Sequence, residues 1–288
     1  RTPEVIVYTS VDQPHSEPVL EAFEEETGIR VRAVYDTEAT KTTGLVSRLA
    51  AEREQPQADV FWSSEIAQTL WLQDEGILAA YHSPTAGDIP DAYKDPEGYW
   101  TGVGLRARIL LVNTDLLPQE RWPDSVFGLL DSAWQPGETG LANPLFGTTA
   151  THAAALYAAL GPEEARVYFE ALRDSGARVV DGNSVVRDMV ANGDLLAGLT
   201  DTDDAHPALR AGKPVRVIYP DQDSLGTLLI PNTVALVAGG PNREEGQALI
   251  DFLLSREVEK MLGEAGFFFA SIRTVGNESP ILDMVVDW

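Results

Sequence analysis

From Val5 onward the chain repeats one pattern, a short run of β-branched and aromatic residues followed by a longer stretch with helical periodicity. "VIVYT" (5–9) precedes "SEPVLEAFEEETGI", "IRVRAV" precedes "TEATKTTGLVSRLAAERE", and "ADVFW" precedes "SEIAQTLWLQDEG". In the first helical stretch Val19, Leu20 and Phe23 share a face, Ser16 stands as a candidate cap and Gly28 as the stop. Gly76 stops the third. Strands that alternate with helices of this length need crossover connections, so the expected class is α/β with a mostly parallel sheet.

Two extended runs break the pattern. "WTGVGLRARILLVNTDLL" and "GTLLIPNTVALVAGG" are too long for crossover strands of a small sheet. Between them a second strand–helix series runs through "TGLANP", "TTATHAAALYAALG", "ARVVDGN", "SVVRDMVANG", "LLAGLT", "DTDDAHPALRAG" and "VRVIYP". The expected architecture is two lobes joined by two crossing hinge strands. Residues 1–104 form the first lobe, completed by about 232–288, and residues 105–231 form the second. A ligand is then expected between them, at the carboxyl ends of strands and the amino ends of helices.

Composition removes several classes of function. The formal net charge of the 288 residues is −24, from 45 acidic and 21 basic side chains. Nucleic acid and anionic membranes both call for a basic footprint, so neither is an expected partner. There is no cysteine, which excludes thiol catalysis, thiolate zinc sites and disulfides. No apolar run reaches the roughly 18 residues of a membrane helix. The chain starts inside a strand-like pattern, as an exported protein trimmed of its signal segment would. Periplasmic or membrane-anchored extracytoplasmic residence, as a monomer, is the expectation.

Candidate residues come from the turns that follow strands: "TSVDQ", "YDTEATKTT", "WSSE", "NPLFGTTATH", "DGNS" and "TDTDD". "FGTTAT" and "DGNSVV" each open a helix, where exposed amides and the Thr148, Thr149, Asn183 and Ser184 side chains can hold an oxyanion; plain capping explains them equally well. In "TDTDD", Asp203 and Asp204 suit the positive end of a helix, whereas Asp201 follows the strand directly and is the better contact residue. On that reading Asp201→Ala weakens ligand binding far more than folding. Asp12 and Glu65 end strands of the first lobe, and one carboxylate from each lobe could grip a metal ion or an ammonium group. Trp62, Trp100 and Tyr219 are cleft candidates, with core packing the alternative for the tryptophans. Arg106 and Arg108 face either an anion or the chain's own carboxylates, with structural pairing expected for one of them. The four histidines have no metal-like spacing.

No nucleophile elbow, phosphate-cradling loop, His-Glu-x-x-His or dinucleotide fingerprint occurs, so no catalytic cofactor is expected and binding is the remaining function. "VIVYTSVDQ", "VLEAFEEETGIRV", "ADVFWSSE", "NPLFGTTATHAAALYAALG" and "DGNSVVRDMVANGDLLAGLTDTDDA", in this order, resemble the solute-binding proteins of ABC importers, and within them the periplasmic ferric-ion-binding branch. That resemblance implies the two-lobed type II periplasmic-binding-protein fold and a membrane permease as partner. It implies an anion such as phosphate or carbonate on Gly147, Thr148, Thr149 and Asn183; Ser10 and Thr40, in the turns "TSVDQ" and "YDTEATKTT", are further candidate ligand contacts. The branch binds iron through a tyrosine pair after the strand that here reads "AGLT", where this chain has "DTDD". Asp12 stands for the branch's histidine ligand, and the glutamate position falls on Ser64 or Glu65. The ligand implied is Fe(III) or another metal held by Asp12, Glu65, Asp201 and Asp203 with a synergistic anion. Carboxylates beside an anion site equally suit a phosphate- or phosphonate-bearing metabolite. An enzyme on the same fold, with Asp12 or Glu65 as base, is the rival of another class.

Overall fold

The computed structural model describes residues 2–36, 43–273 and 281–286. Thr40 lies outside these residues. The chain divides into two compact units, Arg1–Leu105 with Pro231–Glu278, and Arg106–Ile230 with Ser279–Trp288.

In the first unit, β1 (Glu4–Thr9) pairs in parallel with β2 (Arg30–Tyr35) and β3 (Val60–Ser63). The long strand β10 (Leu229–Val237) joins antiparallel to β3 and, on its other edge, to β4 (Leu78–Ala79). The spatial order is thus β2-β1-β3-β10-β4. Helices α1 (Gln13–Thr27), α2 (Thr43–Ala51) and α3 (Ala67–Asp74) follow β1, β2 and β3, and α8 (Arg243–Leu253) and α9 (Arg256–Glu264) come after β10.

Helix α1 starts earlier than its sequence pattern indicates. Pro14, with its fixed φ and no amide hydrogen, suits the first turn and draws the start back to Gln13. Ser16 therefore lies inside the helix, where its hydroxyl donates to the carbonyls of Val11 and Asp12 at 3.1 Å each. Gly28 closes the helix at φ 70°, a left-handed conformation that glycine adopts without a Cβ penalty.

The second unit repeats the same topology. β6 (Thr139–Ala142) pairs in parallel with β7 (Arg178–Val180) and β8 (Ala197–Asp201). The long strand β5 (Thr101–Asn113) joins antiparallel to β8 and, on its other edge, to β9 (Val215–Ile218). The order β7-β6-β8-β5-β9 matches the first unit strand for strand. Helices α4 (Gly147–Leu160), α6 (Asn183–Asn192) and α7 (Thr202–Arg210) follow β6, β7 and β8. Helix α5 (Pro162–Asp174), which the sequence reading passed over, buries Ala165, Tyr168 and Leu172. Those residues pack with Leu110, Leu141, Leu156 and Leu199 into one core. Each such side chain contributes about 2 kcal/mol relative to exposure.

The end of the chain differs from expectation. The first lobe is expected to take everything after about 232, but residues from Ser279 belong to the second unit. Its backbone explains why: Thr227 N–H donates to Leu282 at 2.8 Å, and Met284 N–H donates back to Thr227 at 2.9 Å. The Gln222 amide clasps Leu282 from both sides, donating to its carbonyl at 2.9 Å and accepting from its N–H at 2.7 Å. Met284 sinks into the second unit's core.

Candidate functional site

In an open α/β sheet, ligands bind where the chain leaves neighbouring strands in opposite directions, outside their carboxyl ends. In the second unit that point lies between β6 and β8. From β6 the chain moves outward to β7, then returns across to β8. The register sets Leu141 beside Leu199, so the turn after β6 and Asp201 at the end of β8 come out side by side. Helices α4, α6 and α7 all begin at this end, and their positive ends favour anionic groups there.

The anion they meet is Asp201 itself. Its carboxylate accepts from Arg108 Nη1 at 2.6 Å, from Asn183 Nδ2 at 3.1 Å and from the Thr148 hydroxyl. The Asn183 amide also donates to Thr148 Oγ1 at 2.9 Å. The side chains expected to cradle a bound anion are thus bonded to a carboxylate of the chain. Asp201 caps α7 by position but makes no side-chain capping bond, because its oxygens are turned to these donors.

Both arginines are paired, where the sequence reading expected this of one. Arg108 lies opposite Asp201 in the β5–β8 register and is fully buried. Its remaining N–H groups reach Asn183 Oδ1 at 3.1 Å, Thr149 Oγ1 at 3.3 Å and His152 Nδ1 at 3.4 Å. Arg106, two residues earlier on β5, donates to Asp203 Oδ2 at 2.9 Å and lies 3.5 Å from Asp201 Oδ2. Asp201, Asp203 and Asp204 offer oxygens within 4.8 Å of one another, a set that could hold a metal ion.

Charges in this cluster shift as their neighbours dictate. Burial works to raise the Asp201 carboxyl, but the Arg108 and Arg106 guanidiniums outweigh it and hold the group below the usual carboxylate range. Burial likewise opposes the charge on Arg106, and Asp203 and Asp201 more than restore it. His152, which the sequence reading treated as ordinary, is buried against Arg108; burial first, and that positive charge second, push its imidazole down to about 3. It therefore serves as a neutral acceptor.

The equivalent switch point of the first unit holds Ser10 and Ser64, whose hydroxyls lie 3.2 Å apart, while Ser64 N–H donates to Ser10 Oγ at 2.9 Å. Glu65 is buried and accepts from Gln68 N–H at 3.3 Å. Asp12 stands at the cap position of α1, where its carbonyl accepts from His15 and Ser16. Trp62 is fully buried as a core residue, which is the packing alternative of the two weighed for it. Tyr219 is half-buried just after β9, its phenol raised by burial. Gly147 opens α4 at φ 54°.

Comparison with known proteins gives a consistent picture. Residues 19–281 match the family model for bacterial extracellular solute-binding proteins. "Iron uptake protein A1" of Synechocystis sp. is 24% identical over 274 residues, covering 92% of this chain and 74% of that protein. A "putative 2-aminoethylphosphonate-binding periplasmic protein" of Salmonella typhimurium is 26% identical over 252 residues, covering 85% and 70%. In structure, iron-bound HitA from Pseudomonas aeruginosa matches with a TM-score of 0.85 at 22% identity, over 98% of this chain and 90% of that one.

Proposed function

Because the chain belongs to the bacterial extracellular solute-binding protein family, we propose that it captures a small solute outside the cytoplasm and delivers it to the permease of an ABC importer, without a catalytic step. The solute is a small organic phosphate or phosphonate that also carries a hydroxyl or ammonium group. One observation carries this reading: guanidiniums and carboxylates alternate at the amino ends of three helices, Arg106 and Arg108 with Asp201 and Asp203. Backbone amides at the starts of α4 and α6, with Gly147, Thr148, Thr149 and Asn183, suit the oxyanion. Asp203 and Asp204 suit the hydroxyl or ammonium group. A bare anion would meet the Asp201 charge, whereas a solute bearing both kinds of group balances it. The matching strand ends of the first unit offer Ser10, Asp12 and Glu65 for the same class of contact. The Salmonella relative is named for a ligand of this class.

A second reading has an observation of its own. The Asp201–Asp203–Asp204 cluster has oxygens close enough to share a cation, and the Synechocystis relative is named for iron uptake. Fe(III) with a partner phosphate or carbonate would fit that cluster once its arginines moved away. Calorimetric titration with 2-aminoethylphosphonate, a hexose phosphate and inorganic phosphate tests the first reading, with Fe(III)–nitrilotriacetate plus phosphate run alongside. Micromolar or tighter binding of an organic phosphate or phosphonate is expected. Stoichiometric uptake of iron, with no heat from the organic compounds, overturns the reading in favour of the second.

A further inference from the structure

We propose that Arg106 decides which class of solute the second unit accepts: its guanidinium sits in the Asp201–Asp203–Asp204 cluster as a built-in cation and keeps metal ions out. The inference rests on the organic-solute reading above.

Three buried or half-buried carboxylates whose oxygens lie within 4.8 Å of one another repel strongly unless a positive charge lies among them. Arg106 supplies it. A single nitrogen, Nη1, stands 2.9 Å from Asp203 Oδ2 and 3.5 Å from Asp201 Oδ2, and the side chain is buried. Asp201 Oδ1, the oxygen that Arg106 leaves, is taken by Arg108 at 2.6 Å. Both oxygens of the central carboxylate therefore face guanidinium nitrogens. A metal ion would have to share those oxygens with two positive charges.

Metal entry would have to expel Arg106, and the surroundings oppose that. The backbone beside it is fixed, since Ala107 N–H donates to the Thr202 hydroxyl at 3.1 Å and ties β5 to the start of α7. A displaced guanidinium would be left buried without a counter-charge, an unfavourable state. It cannot shed its proton to make room, as a lysine could. An oxyanion-bearing solute meets no such conflict of charge, because its own charge is opposite to that of the guanidiniums.

The test uses Tb(III), a hard, oxygen-seeking trivalent ion whose luminescence reports protein ligation, on the full chain. Asp203→Asn marks the site, because binding elsewhere on so acidic a surface does not depend on that residue. Wild-type protein is expected to show no Tb(III) binding that Asp203→Asn abolishes. Arg106→Met keeps the length of the stem and removes the charge; it is expected to gain at least 10-fold in Tb(III) affinity, with the gain lost again in Arg106→Met/Asp203→Asn. Two results overturn the proposal: Asp203-dependent binding by the wild type, or a folded Arg106→Met that gains nothing. The wild-type comparison stands even if Arg106→Met does not fold. Failure of the solute reading shows separately, as absence of 2-aminoethylphosphonate binding in a wild type that still excludes Tb(III).

Discussion

Replacing Asp201 by asparagine should unfold the second unit more than it should impair a contact surface. The carboxylate meets Arg108 from β5, Thr148 from α4 and Asn183 from α6, and it lies at the end of β8. Asparagine keeps the shape but leaves Arg108, with no exposure at all, without its anion. Removing one member of a buried ion pair costs about 3–5 kcal/mol, because the survivor stays desolvated and unpaired. For a domain of this size each kcal/mol moves the melting temperature by roughly 2–4 °C, so a fall of about 10 °C is expected. The control is Glu163→Ala, which removes a largely exposed pair with Arg166 and should lie within about 0.5 kcal/mol of the parent. Arg108→Met/Asp201→Asn should lose less than the sum of its two single variants, since no lone charge remains. Acid provides an independent reading. A carboxylate held below its unfolded value stabilises the fold above that value, near pH 4, and the contribution fades as pH falls through the lower folded value. Asp201→Asn should remove that part of the acid sensitivity. Thermal melts followed by circular dichroism at pH 7 and in acid measure all of these. An Asp201→Asn protein that melts within about 2 °C of the parent but binds solute more than 10-fold worse would refute the reasoning, and restore the contact role that the sequence indicates.

Three further outcomes are expected. His152, whose imidazole is pushed down to about 3, should stay neutral in the folded protein well below its ordinary value of 6.5, as its ring shifts in NMR would report. Its neutral form stabilises the fold above the unfolded value and that contribution is lost between there and about 3, so His152→Asn should flatten the acid limb of stability measured by urea midpoints. Gly226→Ala should loosen the end of the chain, because φ is 82° and an added Cβ would stand 2.5 Å from the Asp283 carbonyl carbon. A loss of about 1–3 kcal/mol is expected, with hydrogen exchange rising at Leu282 and Met284.

Much of the fold could be read from the sequence because it depends on local periodicity. Each strand–helix pair declares itself over a short window, and both crossing strands stand out by their length. The turns after strands also pointed to Thr148, Asn183 and Asp201 as members of a site. What the sequence could not show was that these residues bond to one another. Asn183 and Asp201 meet only because β7 and β8 flank β6, a topological fact with no signature in either turn. Arg108 was ambiguous for a related reason. Every residue of β5 is buried, so the usual alternation that tells an inward side chain from an outward one is missing. His152 had no metal-like spacing, and its acceptor role depends on a guanidinium 44 residues away in sequence. Ser16 was misjudged as a cap because Pro14 set the helix start instead.

The segment that docks on Gln222 and Thr227 bears on how the two folds are assembled. The second unit is a continuous stretch from Arg106 to Ile230 whose core is completed by Met284, from beyond the first unit's later segment. The first unit is likewise open until the segment from Pro231 is supplied, as when Asn242 reaches back 183 positions to Asp59. Each unit therefore draws a part of itself from chain that lies beyond the other's main segment. Contacts of such long sequence separation close late, because the entropy of closing the loop is spent before the contact rewards it, so the two folds are expected to complete together rather than in chain order.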